Sequence, residues 1–123
     1  MWQVRYIDEA LEDLDKLDVF LRKLVIAGIK KVSHSPLPQN EGGYGKPLGN
    51  KRGNNLVGFF KIKYKRYGIR VVYTLVRDKK IMNIIVISKR EDNVCYKETK
   101  KRKENYKDKL FKDSFSDLNK EQE

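Results

Sequence analysis

The chain has 123 residues, with 28 Lys and Arg against 17 Asp and Glu and a formal net charge of +11. That length builds one core and is too short for two independent ones. The lone cysteine, Cys95, excludes an internal disulfide and supplies no zinc set, which fits a reducing cytoplasm. The longest apolar run, Ile84 to Ile87, is far too short to span a bilayer, and Met1 to Tyr6 hold no apolar signal core, so a soluble, cytoplasmic protein is expected.

The charge is unevenly placed. From Lys46 to Lys103 there are 18 Lys/Arg and 4 Asp/Glu, whereas Met1 to Asp18 carry 2 and 6. Basic surface at this density needs an anionic partner to relieve self-repulsion. Nucleic acid ranks above a membrane, because no basic amphipathic anchor with a large apolar face is present. The plainer alternative is a Lys-rich soluble protein without such a partner.

In chain order, Trp2, Val4 and Tyr6 alternate with Gln3 and Arg5, a short strand with one buried face, and Asp8 stands where a helix N-cap would. Ile7, Ala10, Leu11, Leu14 and Leu17 then recur at helical spacing. Asp18 is placed to cap a second helix with Leu21, Leu24, Val25, Ile29 and Val32 inward, ending before Pro36. Residues 34–55 contain all three prolines and five of the eight glycines and read as a long exposed loop. Phe60, Ile62 and Tyr64 alternate with Lys61, Lys63 and Lys65, predicting a strand with one cationic face. Turns at Tyr67-Gly68 and at residues 77–80 separate two further strands, Ile69 to Val76 and Ile81 to Ser88. The last, nearly all apolar, is expected to be central in an antiparallel meander. A basic helix follows Glu91, and residues 106–123 form an extension, helical or disordered.

The usual hydrolytic groups are nearly absent. His34, the one histidine, lies at the loop and reads as a surface residue. The acidic run Asp8, Glu9, Glu12, Asp13, Asp15 and Asp18 reads as a solvated helix face rather than a metal site. What remains is cationic: Lys61 and Lys63 on one strand face, Arg70 at the start of the next strand and Arg90 past the end of the third. Fixed guanidinium and ammonium groups stabilise the charge that develops on a phosphodiester attacked by a neighbouring hydroxyl, without a metal. Clustered cations also lower the pKa of a lysine or tyrosine among them toward values useful in proton transfer. The competing reading is that these lysines are simply the solvent side of a half-buried strand.

The spaced set Phe60-Lys61-Ile62-Lys63, Gly68-Ile69-Arg70-Val71-Val72-Tyr73, Lys89-Arg90-Glu91 and Tyr96 resembles the RelE family of bacterial toxins. The likeness runs from Trp2 to about Arg102. It implies an α+β fold in which two N-terminal helices pack on a small, mainly antiparallel sheet with a C-terminal helix. It also places Lys61, Lys63, Arg70, Arg90 and Tyr96 on the family's catalytic positions. The implied reaction is attack of a ribose 2′-hydroxyl on the adjacent phosphorus of mRNA in the ribosomal A site, with no metal or other cofactor. In it Lys61 or Lys63 takes the proton, Arg70 neutralises the phosphorane, Arg90 aids the leaving oxygen and Tyr96 stacks on or orients a base. Lys46, Lys51, Arg52, Lys65, Arg66, Lys89 and Lys97 are the expected RNA-binding residues. The partners implied are mRNA, ribosomal RNA and an acidic cognate antitoxin, the toxin alone being monomeric and no membrane being involved. Two rivals are a gyrase-directed toxin of the related ParE branch and a non-catalytic module that binds RNA or protein. The loop at 34–55 and the extension depart from the shortest family members.

Overall fold

A computed structural model describes residues 1–51 and 53–116. Its order is β1 (Gln3–Tyr6), α1 (Asp8–Asp15), α2 (Val19–Val32), β2 (Lys46–Lys51), β3 (Asn54–Tyr64), β4 (Ile69–Val76), β5 (Ile81–Ser88), α3 (Asp92–Tyr106) and α4 (Lys109–Lys112). The strands make one sheet in the order β1-β5-β4-β3-β2. β1 runs parallel to β5, and every other pair is antiparallel. The α+β class and the β3–β4–β5 meander are as the sequence predicts. β5 is interior rather than central, because β1 covers its outer side and leaves β4 in the middle.

Capping and burial set the helices. Asp8 is the first helical residue of α1 and not its cap, which is Ile7. Asp8 and Glu9 instead place negative charge at the positive end of the helix dipole. Asp18 does cap α2, its Oδ1 accepting from the Leu21 N–H at 2.9 Å. Val25, Ile29 and Val32 of α2 are buried with Phe60 and Tyr73 in the core, and the Tyr64 hydroxyl donates to the Val25 carbonyl at 2.9 Å. Gly28 permits that approach, since a Cβ there would lie 2.1 Å from the Tyr64 oxygen. Phe60, Ile62 and Tyr64 therefore face α2, and Phe59 and Lys61 face α3 and α4.

One expectation is corrected. The segment 34–55 is not a free loop. It contains β2, paired along β3 from Lys46↔Lys61 to Lys51↔Asn54, and Leu48 is buried. Its start is tied down by the Tyr73 hydroxyl, which donates to the Pro36 carbonyl at 2.7 Å. Prolines and glycines hid the strand because the pairing falls on an edge, where a proline costs little and a register shift between Pro47 and Gly49 absorbs the irregularity.

Of the extension, which is described as far as Ser116, residues Lys109–Lys112 are helical as α4. Thr74 Oγ1 donates to the Leu110 carbonyl at 2.5 Å, and Asn83 Nδ2 donates to the carbonyls of Leu110 and Asp113 at 3.1 and 2.8 Å. Leu110 is fully buried and Phe111 packs edge-on against Phe59. Ser116 pairs with Tyr6 as a short antiparallel bridge. Leu110 and Phe111 of this segment pack on one face of the sheet. Residues 117–123, including Leu118, lie outside the described residues.

Candidate active site

Strand register builds the site. Lys63 stands opposite Arg70 and Lys61 opposite Val72 across β3 and β4, and Arg70 stands opposite Ser88 of β5. With a period of two, Lys61, Lys63 and Arg70 share one face. The chain turns after Arg90 into α3, and one helical turn separates Asp92 from Tyr96, so both come down over that face.

Three of the five expected catalytic side chains meet. The Lys61 ammonium donates to the Tyr96 hydroxyl at 2.8 Å and lies 5.5 Å from its ring centroid. Asp92 joins them: its carboxylate accepts from Arg70 Nε and lies 3.8 Å from Lys61 Nζ. Arg70 Nη1 also donates to the carbonyls of Gly68 and Arg90, at 3.2 and 2.7 Å. Burial alone would raise the Asp92 pKa. The Arg70 hydrogen bond and the charges of Lys61, Arg70 and Lys63 outweigh it, and the carboxyl is held below the usual carboxylate range. Beneath the cluster, burial pushes the Cys95 thiol up to about 11, which keeps it a neutral filler.

The other two behave differently. Lys63 is exposed and opens toward a basic cleft of about 330 Å³ that Lys61 also lines. Arg90 reaches the cluster through its carbonyl, while its side chain lines a second cavity, of about 550 Å³, with Lys89, Lys16 and Ser88. Tyr96 is only 5% exposed, so its ring offers almost no face to a base while its hydroxyl is within reach of Lys61.

Among the expected RNA-binding residues, Lys46 and Lys65 line the basic cleft. Arg66 sits beside the Tyr67 ring at 5.8 Å, and Lys89 and Lys97 are exposed. Arg52 and the side chain of Lys51 lie outside the described residues. His34 is exposed. Asp13 departs from the solvated acidic face: it pairs in bidentate fashion with the buried Arg102 at 2.6 and 3.1 Å. Among the described residues no group of three His, Cys, Asp or Glu is placed to hold a metal, and no helix is long and apolar enough to cross a membrane.

Sequence reasoning missed Asp92. A signal was available, because it is one of only four acidic residues between Lys46 and Lys103 and follows Arg90 by two positions. What was missing was the register that brings it to Arg70.

Comparison with known proteins bears on the fold. A RelE-like toxin protein of Escherichia coli is 26% identical over 95 residues, covering 77% of this chain and 90% of the relative. A doubly substituted E. coli toxin RelE in the free state matches with a TM-score of 0.62 at 25% identity, over 82% of this chain and 96% of that one. In sequence and fold the chain is similar to RelE toxins. A chain from the toxin–antitoxin complex RelBE2 of Mycobacterium tuberculosis matches at 27% identity and a TM-score of 0.57, over 74% of this chain and 93% of that one. No family model matches the sequence. In this chain the RelE-like fold carries a C-terminal segment, packed by Thr74 and Asn83, and a cationic cluster bridged by Asp92.

Proposed function

We propose that this chain is a RelE-like toxin that cuts mRNA in the ribosomal A site by attack of a ribose 2′-hydroxyl on the adjacent phosphorus, without a metal ion. The observation that carries the reading is the convergence of Lys61, Lys63, Arg70 and Tyr96 on one sheet face. Cations fixed in a partly dry site stabilise a phosphorane far better than the same groups in water. The side chains of Lys61 and Arg70 are 17% and 12% exposed, which gives that environment while leaving an approach from solvent.

In this mechanism Lys61, oriented by Tyr96, or the more open Lys63 first gives up a proton to solvent and then, as the neutral amine, accepts the 2′-hydroxyl proton. Arg70 neutralises the equatorial oxygens, and Arg90 stabilises the leaving 5′-oxygen after a shift of its side chain toward the cluster. Asp92 has to give way as phosphate arrives, since both are anions competing for the Arg70 guanidinium. An antitoxin with an acidic segment is the expected inhibitor, because the face it must cover carries Lys61, Lys63 and Arg70 in a chain of net charge +11.

The occupation of Arg70 by Asp92 also favours a second reading, a module that binds RNA without cutting it. Primer extension on a reporter mRNA in a bacterial translation extract separates the two. Cuts at ribosome-occupied codons, absent with an Arg70→Ala, Arg90→Ala variant, are the expected result. Intact mRNA together with RNA binding would establish the binding module. Intact mRNA with gyrase-dependent DNA damage would point to the gyrase branch.

A further inference from the structure

The base-stacking role has no occupant in the cluster, because Tyr96 is buried. The structure offers another aromatic nearby. Tyr44 is 51% exposed and lines the basic cleft together with Lys31, Lys46, Lys61, Lys63 and Lys65, with no carboxylate in its walls. We propose that this cleft is a single-stranded RNA subsite in which Tyr44 stacks on a base flanking the cut and Lys31 and Lys46 hold the adjoining phosphates. The inference rests on the reading that the toxin acts on RNA.

Three observations support it. First, the cleft opens on the α2 side of the sheet, opposite the cationic cluster, and the exposed Lys63, which stands across from Arg70 and beyond the last β2 pair, lines it at the edge of β3. A strand whose phosphate lies at Arg70 reaches the cleft by rounding the β3 edge at Lys63. Second, Tyr44 is held in place before any ligand arrives. Its N–H donates to the Ser35 carbonyl at 2.9 Å, and the flanking Gly43 and Gly45 N–H groups donate to Pro38 and Leu37 carbonyls at 3.1 and 3.0 Å. A side chain at Gly43 would collide with the Leu37 carbonyl, its Cβ falling 1.9 Å from that oxygen, so the tight backbone approach is built in. A backbone fixed in advance loses little freedom on binding. Third, the Lys31 ammonium sits 5.8 Å from the Tyr44 ring centroid, which pairs an aromatic face with a phosphate-binding cation. Aromatic platforms interleaved with lysines are how proteins hold single strands, whereas a duplex keeps its bases stacked on one another and away from the ring.

The test uses the full chain and a fluorescein-labelled single-stranded 12-mer, 2′-O-methylated throughout so that it cannot be cut. The same oligonucleotide in duplex and a poly-glutamate peptide serve as comparison ligands. Tyr44→Ala is expected to weaken single-strand binding by roughly 5- to 100-fold, as loss of one stacked base does. Tyr44→Trp should retain binding, with tryptophan emission quenched as RNA is added. Lys31→Ala should lower the salt dependence, with the slope of log K against log salt falling by about 0.7, one phosphate for a single strand. Phe20→Ala, at an equally exposed aromatic on α2 outside the cleft, should change nothing. Unchanged binding by Tyr44→Ala with no quenching in Tyr44→Trp overturns the subsite, as does equal dependence on Tyr44 for the duplex or the peptide. If Tyr44→Ala still cuts mRNA in the translation extract with the same rate and pattern, the subsite falls and the nuclease reading stands. Absence of both binding and cutting by the unmodified chain overturns the two together.

Discussion

Replacing Asp13 by Ala isolates the most buried charge in the protein. Arg102 is 7% exposed, and its guanidinium reaches three elements at once: Asp13 of α1 at 2.6 and 3.1 Å, the Ile85 carbonyl of β5 at 2.8 Å, and Glu98 of its own helix at 2.8 Å. Asp13 also accepts from the Ile87 N–H at 3.0 Å. Removing one partner of a buried pair costs about 3–5 kcal/mol, because the other charge is left uncompensated. Glu98 still reaches Arg102 here, and the 550 Å³ cavity beside the pair admits water, so the low end, about 3 kcal/mol, is expected for Asp13→Ala. Glu98→Ala should cost only about 0.5 kcal/mol, since that carboxylate is more than a third exposed. The measurement is urea unfolding followed by circular dichroism, with a constant m-value required. Replacing the pair together, Asp13→Leu with Arg102→Met, should recover much of the loss, because no charge then remains buried. A loss below about 1 kcal/mol for Asp13→Ala, or a double variant no better than the single one, would refute the claim that this pair ties α1 and α3 to the sheet.

Other consequences are equally direct. Gly28→Ala should destabilise the fold even though alanine is the better helix former by about 1 kcal/mol, because its Cβ would displace Tyr64 from the Val25 carbonyl; thermal unfolding decides which effect wins. The Cys95 thiol has a folded pKa of about 11 against an ordinary 9.0, so its contribution is complete below pH 9 and is lost as pH rises through 11. Unfolding at pH 8 and pH 10.5 should therefore differ by less in Cys95→Ala than in the unmodified chain. Tyr64 and Tyr73, raised by burial, add loss of the same sign at still higher pH. Asp92→Asn removes the anion that competes for Arg70 and Lys61, so uncleavable RNA should bind several-fold more tightly, by fluorescence anisotropy, and with a steeper salt dependence. Weaker binding would show instead that Asp92 positions Arg70 for RNA.

Much of the architecture is legible in the chain. The apolar runs over Ile69 to Val76 and Ile81 to Ser88, each bounded by turn residues, give both strands their observed bounds, because hydrophobic runs and turn residues are local properties. Asp18 identifies itself as a cap for the same reason. The sequence also carries the list of cations from which the site is made. It does not show which of them meet. Asp92 approaches Arg70, Asp13 leaves the solvated face for Arg102, and Tyr96 turns inward, each through contacts more than twenty positions apart or between elements whose relative placement only packing decides. β2 and the tail to Ser116 were hidden similarly, since an edge strand rich in Gly and Pro and a thinly apolar segment acquire their structure from the surfaces they cover. Local hydrogen bonding and hydrophobic period determine the elements, and the closing of long-range contacts, whose entropy cost only the assembled core offsets, decides what the elements bring together.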